Sequence, residues 1–301
     1  MKRNVALVLA SGGARGIAHI GAIRELEQSG YRISSVAGTS MGALIGGIYA
    51  SGKLDSYERW LRVLTRRRVF ELADFTFSSS GILKGRRIIE ELKTFIPDIP
   101  IENMSIPFTA VATDIESESE AIFDSGSLFD AVRASISIPS LFTPVQLGDK
   151  LLIDGGVTNP LPLDRVRRTE GDILVAVDVS APSGPKQAEQ DDKPVAEPDD
   201  EGDSIMEKIK HKALMMMREQ DKEQTSYNYY TLLSQASSIM IQRISALMMQ
   251  IHKPDILVSI SGDAYGTLEF HKAAQIIELG RSSMREAIAE YESLSLIHIS
   301  S

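Results

Sequence analysis

Ser35-Val36-Ala37-Gly38-Thr39-Ser40-Met41-Gly42-Ala43-Leu44-Ile45 is the stretch on which the fold of this 301-residue chain turns. A short apolar run, Ser35–Gly38, stops at small residues, and a helical pattern over Ser40–Ala50 starts at once. A strand that passes through a tight turn into a helix is the unit of an α/β sheet. Gly38 and Gly42 bracket Ser40, so neither flank carries a side chain that would crowd a sharp turn. A serine in that place projects above the sheet at a helix N-terminus, where the dipole and free N–H groups favour developing negative charge. Gly38-Thr39-Ser40-Met41-Gly42 therefore has the context of a nucleophile elbow, although small residues are also common in ordinary turns.

Outward from this unit the same alternation continues. Asn4–Ala10 reads as a strand and Ile17–Ser29 as a helix. Pro107–Thr113 and Ile173–Val179 are short apolar runs rich in β-branched residues, typical of buried strands. Gln146–Gly148 and Leu151–Ile153 read as a hairpin about Gly148-Asp149-Lys150. The expected fold class is α/β, a mostly parallel central sheet flanked by helices.

Composition narrows the class. Hydrophobic residues make up 43% and charged residues 24%, which suits a globular chain with one large core. There is no cysteine, hence no disulfide, thiolate metal site or cysteine nucleophile. The net charge of −9 argues against a nucleic-acid partner. Lys2-Arg3 before Val5–Ala10 imitates a signal peptide, but the apolar run is too short and glycines follow at once. No run is long enough for a membrane span, so the expected location is the cytoplasm, with contact at the periphery of the inner membrane left open.

Four segments are expected. Residues 1–181 form the catalytic core. Residues 182–204 form an acidic linker: Pro182–Asp203 holds eight acids, two lysines and four prolines, a composition that buries no core. Residues 205–293 form a helical extension, with helices over Ile205–Lys222 and Tyr227–His252, a strand at Asp255–Ile260 and a helix at Glu269–Tyr291. In the second of these helices Leu233, Ser237, Met240, Ile244, Leu247 and Ile251 share one mostly apolar face. Residues 294–301, with Leu294-Ser295-Leu296-Ile297-His298-Ile299-Ser300, resemble a translated sequencing-library adapter and are expected to be non-native.

Ser11-Gly12-Gly13-Ala14-Arg15-Gly16 follows the first strand directly. Such a loop presents N–H groups to an anion. As a dinucleotide loop it lacks the first glycine, at Ser11, and the acidic residue after the second strand. As an oxyanion hole it suits a neighbouring nucleophile. Arg15 either adds positive potential or pairs with a surface carboxylate. A serine nucleophile needs a base. His19 reads as a packed structural histidine, His211 and His252 as solvated or helix-terminal, and His271 as the one plausible triad member. Asp154, in Leu151-Leu152-Ile153-Asp154-Gly155-Gly156, is delivered by an apolar strand to a turn at the sheet end, though an aspartate there also makes plain turn hydrogen bonds.

The glycine loop, Gly-x-Ser-x-Gly and Asp-Gly-Gly, in this order, resemble the three signatures of patatin-like phospholipases. Gly16–Gly21, Ala131–Pro139 and Asn159-Pro160-Leu161-Pro162 are similar to the segments that accompany them. The resemblance covers residues 4–180, with a weaker echo around Asp255–Gly280. It implies a Ser–Asp dyad without histidine: Ser40 as nucleophile, Asp154 as base, and the N–H groups of Gly12, Gly13 and Ala14 as the oxyanion hole. Arg15, Gly16, Gly38, Gly42, Gly155 and Gly156 would complete the motifs. The family pattern often has glycine where this chain has Ser11, a substitution that matters only if the position needs positive φ.

The resemblance further implies a phospholipase A or lysophospholipase that needs no metal or other cofactor and takes a lipid or lysophospholipid substrate. Ile205–Arg218 carries methionines beside lysines, which suits either a membrane surface or core packing with a solvated lysine face. Arg66-Arg67-Arg68 reads as phosphate contact or as a solvated turn. The alternatives are an α/β-hydrolase esterase using Ser40, an acid and His271, and a non-catalytic lipid-binding or regulatory protein.

Overall fold

The computed structural model describes residues 3–76, 81–182 and 229–299, without side chains at 229–231 and 296–299. The expected linker beyond Pro182, the Ile205–Lys222 helix and His211 lie outside these residues. The chain begins with strand β1 (Asn4–Leu9), a short 3-10 turn (Gly13–Ile17) and helix α1 (Ala18–Gln28). Strand β2 (Arg32–Thr39) then feeds helix α2 (Met41–Ala50). Helices α3 (Leu54–Arg62), α4 (Arg66–Leu72) and α5 (Arg86–Lys93) follow, with strand β3 (Gly81–Leu83) between the last two. Strands β4 (Phe108–Asp114) and β5 (Ser119–Phe123) precede helix α6 (Leu128–Ser135) and the short strands β6 (Ser140–Phe142) and β7 (Val145–Leu147). Strands β8 (Lys150–Asp154) and β9 (Ile173–Ala181) complete the first part. Helix α7 (Tyr229–His252), strand β10 (Ile256–Ser261) and helix α8 (Ala273–Ile299) close the chain.

The main sheet runs β10-β9-β1-β2-β4-β8-β7, with β5 also on β4. Its first five strands are parallel, and β5, β7 and β8 add antiparallel pairs. This is the expected mostly parallel sheet between helices. Both faces of β1 are buried, which explains its unbroken apolar sequence. Val5, Leu7 and Leu9 join the larger core, while Ala6, Val8 and Ala10 join a smaller one on the opposite face.

Strand β10 extends this sheet beside β9, and α8 packs along α1. Two glycines let α1 and α8 approach backbone to backbone. A methyl group on Gly21 would sit 1.8 Å from the Ile277 carbonyl oxygen, and one on Gly280 1.9 Å from that of Ala18. Arg285 on α8 then donates Nε and Nη2 to the two carboxylate oxygens of Glu25 on α1 at 2.9 and 3.0 Å. Helix α8 runs on to Ile299, through most of the stretch expected to be non-native.

Helix α7 forms with the expected apolar face. On the shared face Leu233, Met240, Leu247 and Ile251 are exposed, while Ser237 and Ile244 are half-buried. Ser245, Met248 and Met249 face the sheet instead. The helical period is right, but several apolar positions lie around the helix, and spacing alone does not say which of them the core takes.

Candidate active site

Strands β2 and β8 meet end to end along one edge of β4. Ala110 pairs with Gly38 on that edge and with Phe123 of β5 on the other. Ala112 pairs with Asp154 and, on the β5 edge, with Ala121. The last residues of the two facing strands, Thr39 and Asp154, therefore stand opposite the neighbours Val111 and Ala112. Sequence separation of more than a hundred residues is closed by register alone.

Ser40 takes the turn between β2 and α2 at φ 56° and ψ −120°. For a residue with a Cβ that backbone costs about 1–3 kcal/mol and persists only where its surroundings enforce it. They do so here. The Ser40 N–H donates to Ser135 Oγ at 2.8 Å, and Ser135 Oγ donates to the Val111 carbonyl at 2.5 Å. The flanking glycines are needed for space: a methyl on Gly38 would lie 2.4 Å from the Gly42 carbonyl carbon, and one on Gly42 2.1 Å from the Leu9 carbonyl oxygen. Helix α2 is buried nearly all round, so its sequence is apolar rather than striped.

The Ser40 hydroxyl donates to Asp154 Oδ2 at 2.5 Å, and both residues are buried. Asp154 Oδ1 accepts from the Gly156 N–H at 2.7 Å. Its main chain is pinned as well: the N–H donates to the Ser137 carbonyl at 2.9 Å and the carbonyl accepts from Thr113 Oγ1 at 3.0 Å. Gly155 and Gly156 form the tight turn that follows. Burial pushes the Asp154 carboxyl up to about 6, against the opposing pull of the hydrogen bonds from Ser40 and Gly156.

The glycine loop reaches the same place from β1. Ser11 keeps negative φ, donates its N–H to the Pro160 carbonyl at 2.9 Å, and is compatible with the loop. His19 is fully buried and donates Nε2–H to the Ala10 carbonyl at 2.9 Å, which ties the loop to α1. Its burial pushes it down to about 4, so it stays neutral. Arg15 lies in the field of two carboxylates, the buried Asp178 and the exposed Asp263. It donates Nε to the Val179 carbonyl and Nη1 to that of Tyr265, each at 3.1 Å, and braces the loop against β9 and the segment that follows β10. Gly16 packs against Met41.

One expected oxyanion donor is otherwise engaged. The Ala14 N–H donates to the Thr267 carbonyl at 2.8 Å, because the 265–270 segment closes over the loop. The N–H groups of Gly12 and Gly13 meet no acceptor among the described residues, and Gly13 lines the same cavity as Ser40. That cavity, about 140 Å³, runs from Ser40 between α3, α4 and α5. Met41, Leu44, Leu61, Leu72, Leu92 and Phe142 give it an apolar wall.

The remaining candidates stand apart. His271 lies on the turn before α8, where its Nε2 accepts from Arg66 Nε at 3.0 Å. Among the described residues no histidine hydrogen-bonds to Ser40 or Asp154. Arg67 and Arg68 form ion pairs with Glu71 and Glu91 on the exposed side of α4. Sequence reading gave no role to Ser135, Ser137 or Thr113, whose hydrogen bonds hold the pair; buried serines and threonines carry no local signal of such contacts. Helices α3 and α5, whose apolar residues wall the cavity, were not read although their sequences are amphipathic, and Arg66-Arg67-Arg68, expected as a phosphate contact or a solvated turn, opens helix α4.

The sequence profile described as "Patatin-like phospholipase" matches residues 7–167. An uncharacterized NTE family protein of Mycobacterium bovis is 42% identical over 176 residues, which is 58% of this chain and 49% of that protein. "Neuropathy target esterase sws" of Drosophila melanogaster is 31% identical over 59% of this chain and 13% of its own length. "Patatin-like phospholipase domain-containing protein 6" of Mus musculus is 33% identical over 59% of this chain and 14% of its own length. The chain thus spans half or less of the length of these relatives.

Proposed function

The chain belongs to the patatin-like phospholipase family, and from that premise we propose that it is a lipid acyl-ester hydrolase working through a Ser40–Asp154 dyad. The observation that carries the reading is the 2.5 Å hydrogen bond from Ser40 Oγ to a buried carboxylate at the mouth of an apolar cavity. The names of the fly and mouse relatives point to the same chemical class.

In the proposed reaction Asp154 accepts the hydroxyl proton as Ser40 Oγ attacks the ester carbonyl, so no free alkoxide forms. Charge on the carbonyl oxygen is met by the N–H groups of Gly12 and Gly13, donors worth roughly 10²–10³ in rate each. Collapse of the tetrahedral intermediate breaks the ester bond, and Asp154 returns its proton to the departing alcohol. Water then attacks the acyl-serine and gives its proton to Asp154, which passes it to Ser40 Oγ as the intermediate collapses to the fatty acid and free Ser40. The raised carboxyl pKa suits a base that must hold a proton briefly.

An acyl chain fits the cavity walls because they offer apolar contact, and a polar headgroup would remain outside. This supports phospholipase A or lysophospholipase chemistry, with the membrane surface as the place where substrate is met. The test is release of fatty acid from lysophosphatidylcholine and diacyl phospholipids by the intact chain and by Ser40→Ala and Asp154→Asn. Both variants should fold and lose activity by a thousandfold or more, a scale set by removal of a nucleophile or its base. Undiminished hydrolysis by folded Ser40→Ala would refute the reading.

A further inference from the structure

The sheet-facing side of α7 is confined to its second half. Ser245 is buried there, and Met248 and Met249 lie on the small core. Gln242 comes alongside Gly262, just past the end of β10. Since β10 is parallel to its neighbours and ends at Ser261, this is the edge of the sheet that carries Ser40 and Asp154. The first half of α7 therefore extends beyond the strand ends on the catalytic side, by about 18 Å at ~1.5 Å per residue.

Large apolar side chains of that overhang are exposed. Leu232, Ile239 and Met240 are 52%, 60% and 57% exposed, and Leu247 and Ile251 continue the same stripe down the helix at 56% and 68%. The spacings of seven, eight, fifteen and nineteen from Leu232 keep these residues on one face. Arg243 stands exposed among them. Tyr229–His252 contains no aspartate or glutamate, in a chain whose net charge is −9. The helix also packs against the Gly155–Val157 turn beside the dyad, where Val157 is itself exposed.

We propose that the outward stripe of α7 is a membrane-docking face, which seats on a phospholipid bilayer and brings the Ser40 cavity to its substrate. The proposal rests on the lipid-ester reading above. An acid-free apolar stripe with one guanidinium is the pattern of a helix lying in the headgroup region, where apolar side chains enter the acyl boundary and the cation meets phosphate. Its place beside the dyad is what a lipid hydrolase requires.

The experiment compares the intact chain with a Leu232→Gln, Ile239→Gln, Met240→Gln triple variant and with Arg243→Glu. Binding is read by co-sedimentation with phosphatidylcholine vesicles, with and without phosphatidylglycerol. The triple variant should partition roughly tenfold or more weakly, as expected for three lost apolar insertions. Its hydrolysis of vesicle lipid should fall in step, while its cleavage of a dissolved short-chain ester keeps its rate. Arg243→Glu should weaken binding chiefly where phosphatidylglycerol is present.

Equal vesicle binding by the intact chain and the triple variant would overturn the proposal. So would a concentration-dependent dimer that the triple variant abolishes, since the stripe would then serve a second copy. Cleavage of dissolved ester without vesicle binding removes the docking face and leaves the hydrolase reading. Stripe-dependent vesicle binding without cleavage of any ester does the reverse.

Discussion

Thr39 and Asp154 end two strands that approach each other from opposite directions along one edge of β4, opposite the adjacent residues Val111 and Ala112. The turn after Thr39 lifts Ser40 over the gap, and the carboxylate of Asp154 fills it. The dyad is thus a product of strand register, which is hard to shift because both faces of the sheet are buried.

Ser40→Gly and Ser40→Ala should both be inactive but differ in stability. Alanine inherits the strained φ of 56°, whereas glycine adopts it freely. Ser40→Gly should be the more stable by about 1 kcal/mol. Urea denaturation of the two variants measures the difference, and equal midpoints would mean that the turn relaxes.

The pH dependence of kcat/KM on a dissolved ester should rise with an apparent pKa near 6, because Asp154 must be ionised in the free enzyme to take the serine proton. A rising limb placed near 4 would mean that the carboxylate is not desolvated as described.

Stability should respond to Asp154 and His19 with opposite signs. The folded Asp154 carboxyl is raised above its unfolded value, so stability falls as pH rises from about 4 to about 6 and stays lower above that. His19 is held neutral down to about 4, so its contribution is present above its unfolded pKa and lost as pH falls through the same window. Each effect is on the order of 3 kcal/mol, and they oppose one another. Asp154→Asn should therefore gain thermal stability at pH 7–8 and lose it steeply below pH 6. Thermal melts across pH 4–8 check this, and parallel curves for variant and parent would contradict it.

Ser135→Ala should leave the buried Ser40 N–H without an acceptor, at a cost of about 1–3 kcal/mol, and loosen the strained turn. Activity should drop through kcat more than through KM, since the cavity walls are untouched. Steady-state kinetics beside a thermal melt separate this from simple unfolding.

The parallel sheet was legible because short unbroken apolar runs such as Val5–Leu9 alternate with helical patterns. Ser40, Asp154 and the Gly12–Gly13 loop were legible because sharp turns demand glycine, and glycine is visible in a sequence. Ala14 was misjudged since the Thr267 carbonyl that takes its N–H arrives from 253 residues away. Ser135 was invisible for the same reason: an α-helical serine looks alike whether it caps, packs or braces. The side of α7 that meets the core was not legible, because periodicity gives a stripe its direction along the helix but not the side on which the core lies.

Labelling of the intact chain with a fluorophosphonate probe, followed by peptide mass spectrometry, tests the central claim most directly. The dyad predicts a single phosphonylated residue, Ser40, with labelling suppressed by lysophospholipid and greatly slowed in Asp154→Asn. An intact, folded chain that leaves Ser40 unmodified, or modifies it equally fast without Asp154, would contradict it.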